Sequence, residues 1–458
     1  MDINETFMGQ MDAVIALIED GRLKAAREEI ITMDAADIGL LLDEISREQM
    51  LRVFRMLPKT LAADTFAYMK SDQQQYIIES ITDKEINHIM DELFMDDTID
   101  FLEEMPANVV YRVLKTTDRE TRQLINQMLQ YPDGSAGSIM TTEFVDLKKE
   151  MTVREALKHI RVAGVDSAAL DTCYVVDRER HLEGDISLRK IILSSPDSVI
   201  SDLMNPEAKH LHTADDQENT AYLFKKYDLL TMPVVDGENR LVGIITIDDI
   251  VDVIEQEATE DIEIMAAITP TDKPYAETSA WETFKKRTPW LLILMISSTF
   301  TAGILSSYEN SLAAFPALIA FIPMFMGTGG NAGGQASVAV IRSLALNEVD
   351  FGDIFRVAWK ELRTSLLCGL VIALVCFLKT MLLDAQYMSD VTWLTALIVS
   401  LTIFLTVVFA ELVGCLMPLL AKRVGFDPAV MASPFITTIV DALSLVIYFQ
   451  VVRFFLPI

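Results

Sequence analysis

The sequence predicts a multidomain membrane protein with three parts. These are an α-helical superhelical N domain, an α/β domain built as a tandem pair, and an all-α transmembrane domain of five helices. Three observations predict it. Of 458 residues with a formal net charge of −29, the stretch from Trp290 onward holds ten acids and eight bases, whereas the first 289 hold 57 and 30. Apolar runs of bilayer length, about 20 residues each, crowd that nearly neutral back. The acidic front contains a segment that repeats at a constant offset of 59.

The first part, 1–133, reads as short helices: DIGLLLDEI, MLRVFRML, LAADTFAYM, YIIESI, INHIMDEL, TIDFLEEM, VVYRVLKT and TRQLINQML. Apolar residues recur at three- and four-residue spacing, with a break about every 11–13 residues. Short amphipathic helices that bury their faces on neighbours build a superhelix. Asp91, Glu92, Asp96, Asp97 and Asp100 form an acidic patch in it. So acidic a front argues against nucleic acid, whose phosphates it would repel. It suits cations, or simply a solvated, self-repelling surface. The N-terminal MDINETFMGQ is polar and is not expected to be a signal peptide. Cys173, Cys368, Cys376 and Cys415 make no close pair, which argues against a disulfide framework and a thiolate zinc site. No catalytic constellation stands out, and an enzyme is not expected.

The second part spans 134–256, as copies 134–200 and 201–256. CYVVDRERHLEGDISLRKII (173–192) aligns with MPVVDGENRLVGIITIDDIV (232–251), and SIM (138–140) matches DLM (202–204). Each copy reads as an extended start, a helix, two strands and a helix. The pair resembles the cystathionine-β-synthase-type (CBS) module. Thr246 and Asp249 match the Ser/Thr-x-x-Asp element with which such modules hold a nucleotide, the hydroxyl on phosphate and the carboxylate on ribose. The first copy has Ser187 and Lys190 instead and lacks the carboxylate. The resemblance thus implies at most one good adenosine site, or a pair that only dimerises.

The stretch DDIVDVIEQEATEDIEIM (248–265) is rich in acids, has no base and has helical spacing. Like charges at i,i+4 destabilise a helix, so divalent cations would steady it. Asp248, Asp249, Asp252, Glu255, Glu257, Glu260 and Glu263 are the candidates. A connecting helix is expected over 257–286, running straight into the first span.

The membrane part, 287–458, has expected spans at about 288–308, 312–346, 360–383, 391–420 and 428–456. Lys and Arg flank the first span and fill the loops after the second and fourth, whereas SSYENS and DAQYMSD carry none. The positive-inside rule then places the front in the cytoplasm and the C-terminus outside. Lys379 and Arg453 are exceptions near outer ends and are expected to snorkel. Asp441, well inside the fifth span, is a cation ligand in a wet pore, a proton carrier or a structural hydrogen-bond partner. Glu411 lines a pore or bonds a neighbouring helix. Asp427, in the turn GFDP, is expected to cap a helix.

The second span carries MGTGGNAGGQAS. A phosphate-binding loop would need a preceding strand, and an apolar run precedes this stretch instead. Two readings stay open: close helix packing through small residues, and a locally unwound helix whose carbonyls face water. Gly327, Gly329, Gly330 and Asn331 are the candidates.

The order of these parts, with YPDGSAGSIMT, MGTGGNAGGQAS and FDPAVMASPFITTIVD, resembles the MgtE family of magnesium channels over essentially the whole chain. The resemblance implies a homodimer in the lipid of the plasma membrane, with an ion path on its two-fold axis. Asp441 would hold Mg²⁺ there through its water shell, with Asn331 and the glycine carbonyls lining the path and Thr437 and Thr438 one turn or less before Asp441. It implies regulatory Mg²⁺ between the acidic surfaces, with Asp97, Asp248, Asp252, Glu257, Glu260 and Glu263 as ligands. It also implies ATP at Thr246 and Asp249 as a modulator. A coupled divalent-cation exchanger and a non-transporting metal or nucleotide sensor are the alternatives.

Overall fold

The computed structural model describes residues 3–165, 167–271, 275–276, 278–308, 316–387 and 391–456. It divides into two units, Met1–Ile254 and Glu255–Ile458. The expected start of the second span and parts of the loops SSYENS and DAQYMSD lie outside the described residues.

The first unit begins with ten helices. After α1 (Ile3–Glu19) and α2 (Leu23–Ile30) come α3 (Ala35–Asp43), α4 (Arg47–Phe54), α5 (Lys59–Ala67), α6 (Ser71–Ser80), α7 (Asp83–Glu92), α8 (Met95–Glu104), α9 (Ala107–Thr116) and α10 (Arg119–Met128). From α3 onward each helix starts 12 residues after the last. Local chemistry sets these starts: Ser46 and Thr82 form capping boxes with Gln49 and Glu85, and Asp118 caps α10. Each helix from α3 to α10 packs on the next but one, giving an odd row and an even row. Phe66 is fully buried and meets Phe54 and Phe101 edge-on.

The tandem copies follow. The first contains β1 (Asp146–Leu147), α11 (Val153–Ala163), β2 (Thr172–Val176), β3 (Leu182–Ser187) and α12 (Leu188–Leu193). After α13 (Ile200–Leu203), the second contains β4 (Leu211–His212), α14 (Gln217–Tyr227), β5 (Thr231–Val235), β6 (Leu241–Thr246) and α15 (Ile247–Met265). The 59-residue offset is kept in the strand register. Thr172 faces Ser187 as Thr231 faces Thr246, and both hairpins shift register at the equivalent place, Val175/Val176 and Val234/Val235.

The copies also exchange their opening segments. Thr141, which opens the first copy, bridges Ile244 of the second, and Asn205 bridges Asp185 of the first. Gly243 and Gly184 make room for this. A Cβ on Gly243 would stand 2.7 Å from the Thr141 carbonyl, and one on Gly184 would strike the Asn205 carbonyl. The core joins the two parts of the unit, since Met140, Phe224, Met232 and Ile250 belong to the same cluster as Phe66 and Ile99.

The connecting helix differs from the expected 257–286. α15 starts immediately after β6 and ends at Met265, and Ala267 takes a left-handed φ of 56°. The chain then turns, with Thr271 N–H donating to Glu263 Oε2 (2.8 Å) and Lys286 Nζ to the Pro270 carbonyl (2.9 Å). The run of like charges along α15 gives the helix no internal salt bridge to extend it.

In the second unit, α16 (Ala280–Ser307) carries the first span. A 3₁₀ turn (Pro316–Phe321) leads into α17 (Ile322–Ala345), followed by α18 (Ile354–Lys379), α19 (Trp393–Val424) and α20 (Ser433–Phe455). Four helices among the described residues are long and apolar enough to cross a membrane: Ala280–Ser307, Phe351–Tyr387, Trp393–Val424 and Pro428–Phe455. α17 is not one of them, because its glycines dilute its apolar content. α19 packs against α17, α18 and α20, and α16 leans on α20, with Tyr308 stacked on Phe449 at 4.2 Å. Lys379 pairs with Asp384 at 2.9 Å through a π-helical turn, Thr380–Asp384, where snorkelling was expected.

Candidate functional site

The glycine stretch is helical throughout, within α17. This corrects the reading of a locally unwound segment and leaves packing. The glycines divide between two faces. On one, a Cβ at Gly329 would stand 2.8 Å from Ser444 Oγ and from Thr406 Cγ2, one at Gly330 2.6 Å from Thr437 Cγ2, and one at Gly333 2.9 Å from Ile436 Cγ2. A Cβ at Gly414 of α19 would strike the Gly333 carbonyl. Gly329 and Gly330, expected to line a path, are thus buried against the chain's own fourth and fifth spans. On the other face Gly327, Asn331 and Gln335 are exposed at i, i+4 and i+8, and no atom lies within 4 Å of a Cβ built on Gly327.

On α20, Thr437, Thr438 and Asp441 follow Pro434 at three-, four- and seven-residue spacing and are all half-exposed. Both threonine hydroxyls donate to the Pro434 carbonyl, at 2.9 and 3.0 Å. Asp427 caps the 3₁₀ turn Pro428–Met431 through the Ala429 N–H (2.7 Å), as expected. Ser337 Oγ of α17 donates to the Met431 carbonyl at 2.6 Å and fixes that turn to the glycine helix.

The acids form two further groups, one in each unit. In the first unit the opening turn of α8 faces the opening turn of α15. Burial and the charge of Asp249 push Asp96 up to about 8 and Asp97 up to about 6. Burial pushes Asp249 up to about 6, against the hydrogen bond it accepts from Thr246 Oγ1 at 2.6 Å. The nucleotide element is therefore closed on itself, and its carboxylate belongs to the acidic group. Asp248 adds its charge to Asp97 and Asp249, and Asp252 adds to Asp249.

Glu143, which the sequence did not single out, joins the N domain to the tandem pair. Its Oε2 accepts from the Met95 N–H of α8 (3.3 Å), Thr141 Oγ1 (2.6 Å) and the Thr142 N–H (3.1 Å). No motif marks it, because its role comes from a contact 48 residues away.

In the second unit, burial, Asp427 and Glu257 push Asp261 up to about 6. Ile264 and Met265 at the end of α15 pack on Ile341, Ala429 and Ala432. Asp261 lay inside the acidic run but outside the candidates chosen from it. Glu260 is exposed, and Glu263 is held by the Thr271 N–H. Among the described residues, no three Asp, Glu, His or Cys side chains converge on one point as metal ligands. The acids are grouped by field rather than by a closed shell. Mg²⁺ tolerates this, because it keeps several waters and uses one or two carboxylates.

Long apolar helices around a glycine helix, an intramembrane aspartate and crowded acids on an α/β pair define a multipass membrane protein of the cation-transport class. Sequence comparison agrees in all three parts. A profile described as divalent cation transporter, MgtE, matches residues 322–451, the MgtE intracellular N domain matches 33–134, and the CBS domain matches 136–196 and 200–256. The magnesium transporter MgtE of Thermus thermophilus is 35% identical over 443 residues, 96% of this chain and 97% of that one. That of Bacillus subtilis is 29% identical over 453 residues, 99% of each chain. The chain belongs to the MgtE family of divalent cation transporters. A crystal structure of the cytosolic domain of the Mg²⁺ channel MgtE in complex with ATP is 33% identical, with a TM-score of 0.51, covering 53% of this chain and 99% of that one.

Proposed function

We propose that the chain is a Mg²⁺ channel of the plasma membrane, opened and closed by intracellular Mg²⁺. The observation that carries the reading is Asp441, a half-exposed carboxylate in a membrane helix to which no described residue donates a hydrogen bond. An ionisable group at that depth is retained for a ligand or a pathway. Family membership and the magnesium-transporting relatives support Mg²⁺ as the ion.

Two copies of the chain meet on the exposed stripe of Gly327, Asn331 and Gln335. Gly327 contributes closeness, and Asn331 contributes amide oxygens. The paired Asp441 carboxylates hold the hydrated ion, with Thr437 and Thr438 as outer acceptors. The buried glycines 329, 330 and 333 keep the path's wall rigid. The acidic front lies in the cytoplasm and the C-terminus outside, following the Lys and Arg of the loops.

Regulatory Mg²⁺ neutralises the two acidic groups. In the first unit these are Asp96, Asp97, Asp248, Asp249 and Asp252. In the second they are Glu257, Glu260, Asp261, Glu263 and Asp427. With the ions bound, α15 is held and the path is closed. Without them the carboxylates repel, and the ligand-biased equilibrium moves to the open form. ATP binds at Thr246 and Asp249 after their mutual hydrogen bond opens, and so takes Asp249 out of the acidic group. Mg²⁺ flux into liposomes tests the central claim. Asp441→Ala is expected to abolish it, and flux at the wild-type rate would overturn the path.

A further inference from the structure

A second pair of acids lies away from Asp441, between the third and fourth spans. Val357 of α18 shares a cluster with Cys415 and Leu419 of α19, and a Cβ on Gly369 would stand 3.2 Å from the Phe404 ring. The two helices therefore run antiparallel, and both rise about 1.5 Å per residue. That register puts Glu361, one turn beyond Val357, level with Glu411. The charge of Glu361 acts on Glu411.

Glu411 is only 8% exposed, and its Oε2 has no hydrogen-bond partner. α17 faces this level with Ala332 and Gly333, and α20 with Ile436 and Val440, none of them titratable. On α19 itself Cys415 lies one turn away, its thiol bonded to the Leu412 carbonyl. Lys360 and Arg363 flank Glu361 but are exposed.

A buried carboxylate with an empty oxygen, facing a second carboxylate across a tightly packed seam, is neutralised by one small positive charge. The seam is filled with Val357, Cys415 and Leu419, and among the described residues no three metal-ligating side chains gather there. We propose that Glu361 and Glu411 form a proton-binding site in the membrane domain, separate from the ion path. The proton sits on Glu411 Oε2 and faces the charge of the Glu361 carboxylate. It arrives from water through Glu361, which is half-buried at the helix end near Arg356 and Lys360. Its loss places two charges in the seam and loosens α18 from α19. α19 carries Ala410 and Gly414 against Gly333 of the glycine helix, so the proton bears on the geometry of the path wall.

Infrared difference titration of the full-length protein in detergent reads the site without any transport. The wild type is expected to show, beyond the band of Asp96 in the first unit, a second C=O stretch of a protonated carboxylic acid at neutral pH, seen as the difference from Glu411→Gln. Glu411→Gln should lose it, and Glu361→Gln, which removes the facing charge, should move its midpoint toward acid by about a pH unit or more. If Glu411→Gln does not fold, the Glu361→Gln shift decides. A band absent from the wild type, or unchanged in both variants, overturns the site. A band removed by Na⁺ or Mg²⁺ at constant pH shows a metal site and overturns the proton. Mg²⁺ flux in liposomes should fall toward alkaline pH in the wild type and stay level in Glu411→Gln. A pH-independent wild-type flux overturns the link to conduction.

Discussion

In the first unit, Asp96, Asp97 and Asp249 crowd at the meeting of two helix starts, and burial and mutual repulsion raise each of them. In the membrane unit Asp441 is the one acid of its helix, and no described residue donates a hydrogen bond to it. The same side chain serves two purposes through its company. On the proposed reading, crowded carboxylates turn cation concentration into a change of shape, because a bound cation relieves their repulsion. On the same reading, one carboxylate from each copy holds a hydrated ion weakly enough to let it leave, as conduction requires.

The comparison breaks most directly at Asp441. Asp441→Ala should reduce Mg²⁺ flux to background, and Asp441→Asn should retain at most a small part of it. Next in size is the wall behind it. Gly414→Leu puts a side chain into the Gly333 carbonyl and should cost about 1–3 kcal/mol or more through overpacking, read as a lowered melting temperature in detergent. Replacing Asp96, Asp97 and Asp249 together by Asn should leave the N domain docked on the tandem pair without Mg²⁺, seen as hydrogen-exchange protection of α8 that no longer responds to the ion. If that protection still requires Mg²⁺, the crowded acids are not the sensor.

A pH effect follows with a definite sign. Asp96, Asp97 and Asp249 have folded pKa values raised above the ordinary carboxylate value. Their contribution to docking is therefore fully present below about 4 and is lost as pH rises through about 6 to 8. Exchange protection of α8 should fall over that window in the absence of divalent cations and stay level with Mg²⁺ present. The smallest effect is expected in the nucleotide element. Thr246→Val removes the hydroxyl that would meet the nucleotide's phosphate, a hydrogen bond worth about 0.5–1.5 kcal/mol net, and it should weaken ATP binding measured by calorimetry. Ser187→Val, its counterpart in the first copy, should leave ATP binding unchanged.

Much of the fold was legible because its signals are periodic. The helix spacing from α3 to α10 and the 59-residue repeat both survive as register in the structure. Four of the five expected spans were legible from apolar length, and Asp427 as a cap from its place before Pro428. The glycine stretch was misread in one respect. Glycine weakens a helix alone, but contacts from Thr406, Ile436, Thr437 and Val440 hold α17 regular, and those partners lie roughly 80 to 110 residues away in the sequence. Glu143 and Glu411 were hard to assign for the same reason. What each does depends on a neighbour brought by the fold, Met95 in one case and Glu361 in the other. The limits of α15 were missed because acid content was read as the domain boundary, whereas β6 runs directly into the helix.

The exchange of opening segments between the two copies has a consequence for synthesis. The ribosome completes the first copy well before Ile244 of the second exists to pair with Thr141. At about 5–20 residues per second, the early copy spends several seconds with an uncovered sheet surface. Neither copy is then an independent folding unit, and a chain truncated between them would leave the first copy exposed to aggregation and to cellular proteases.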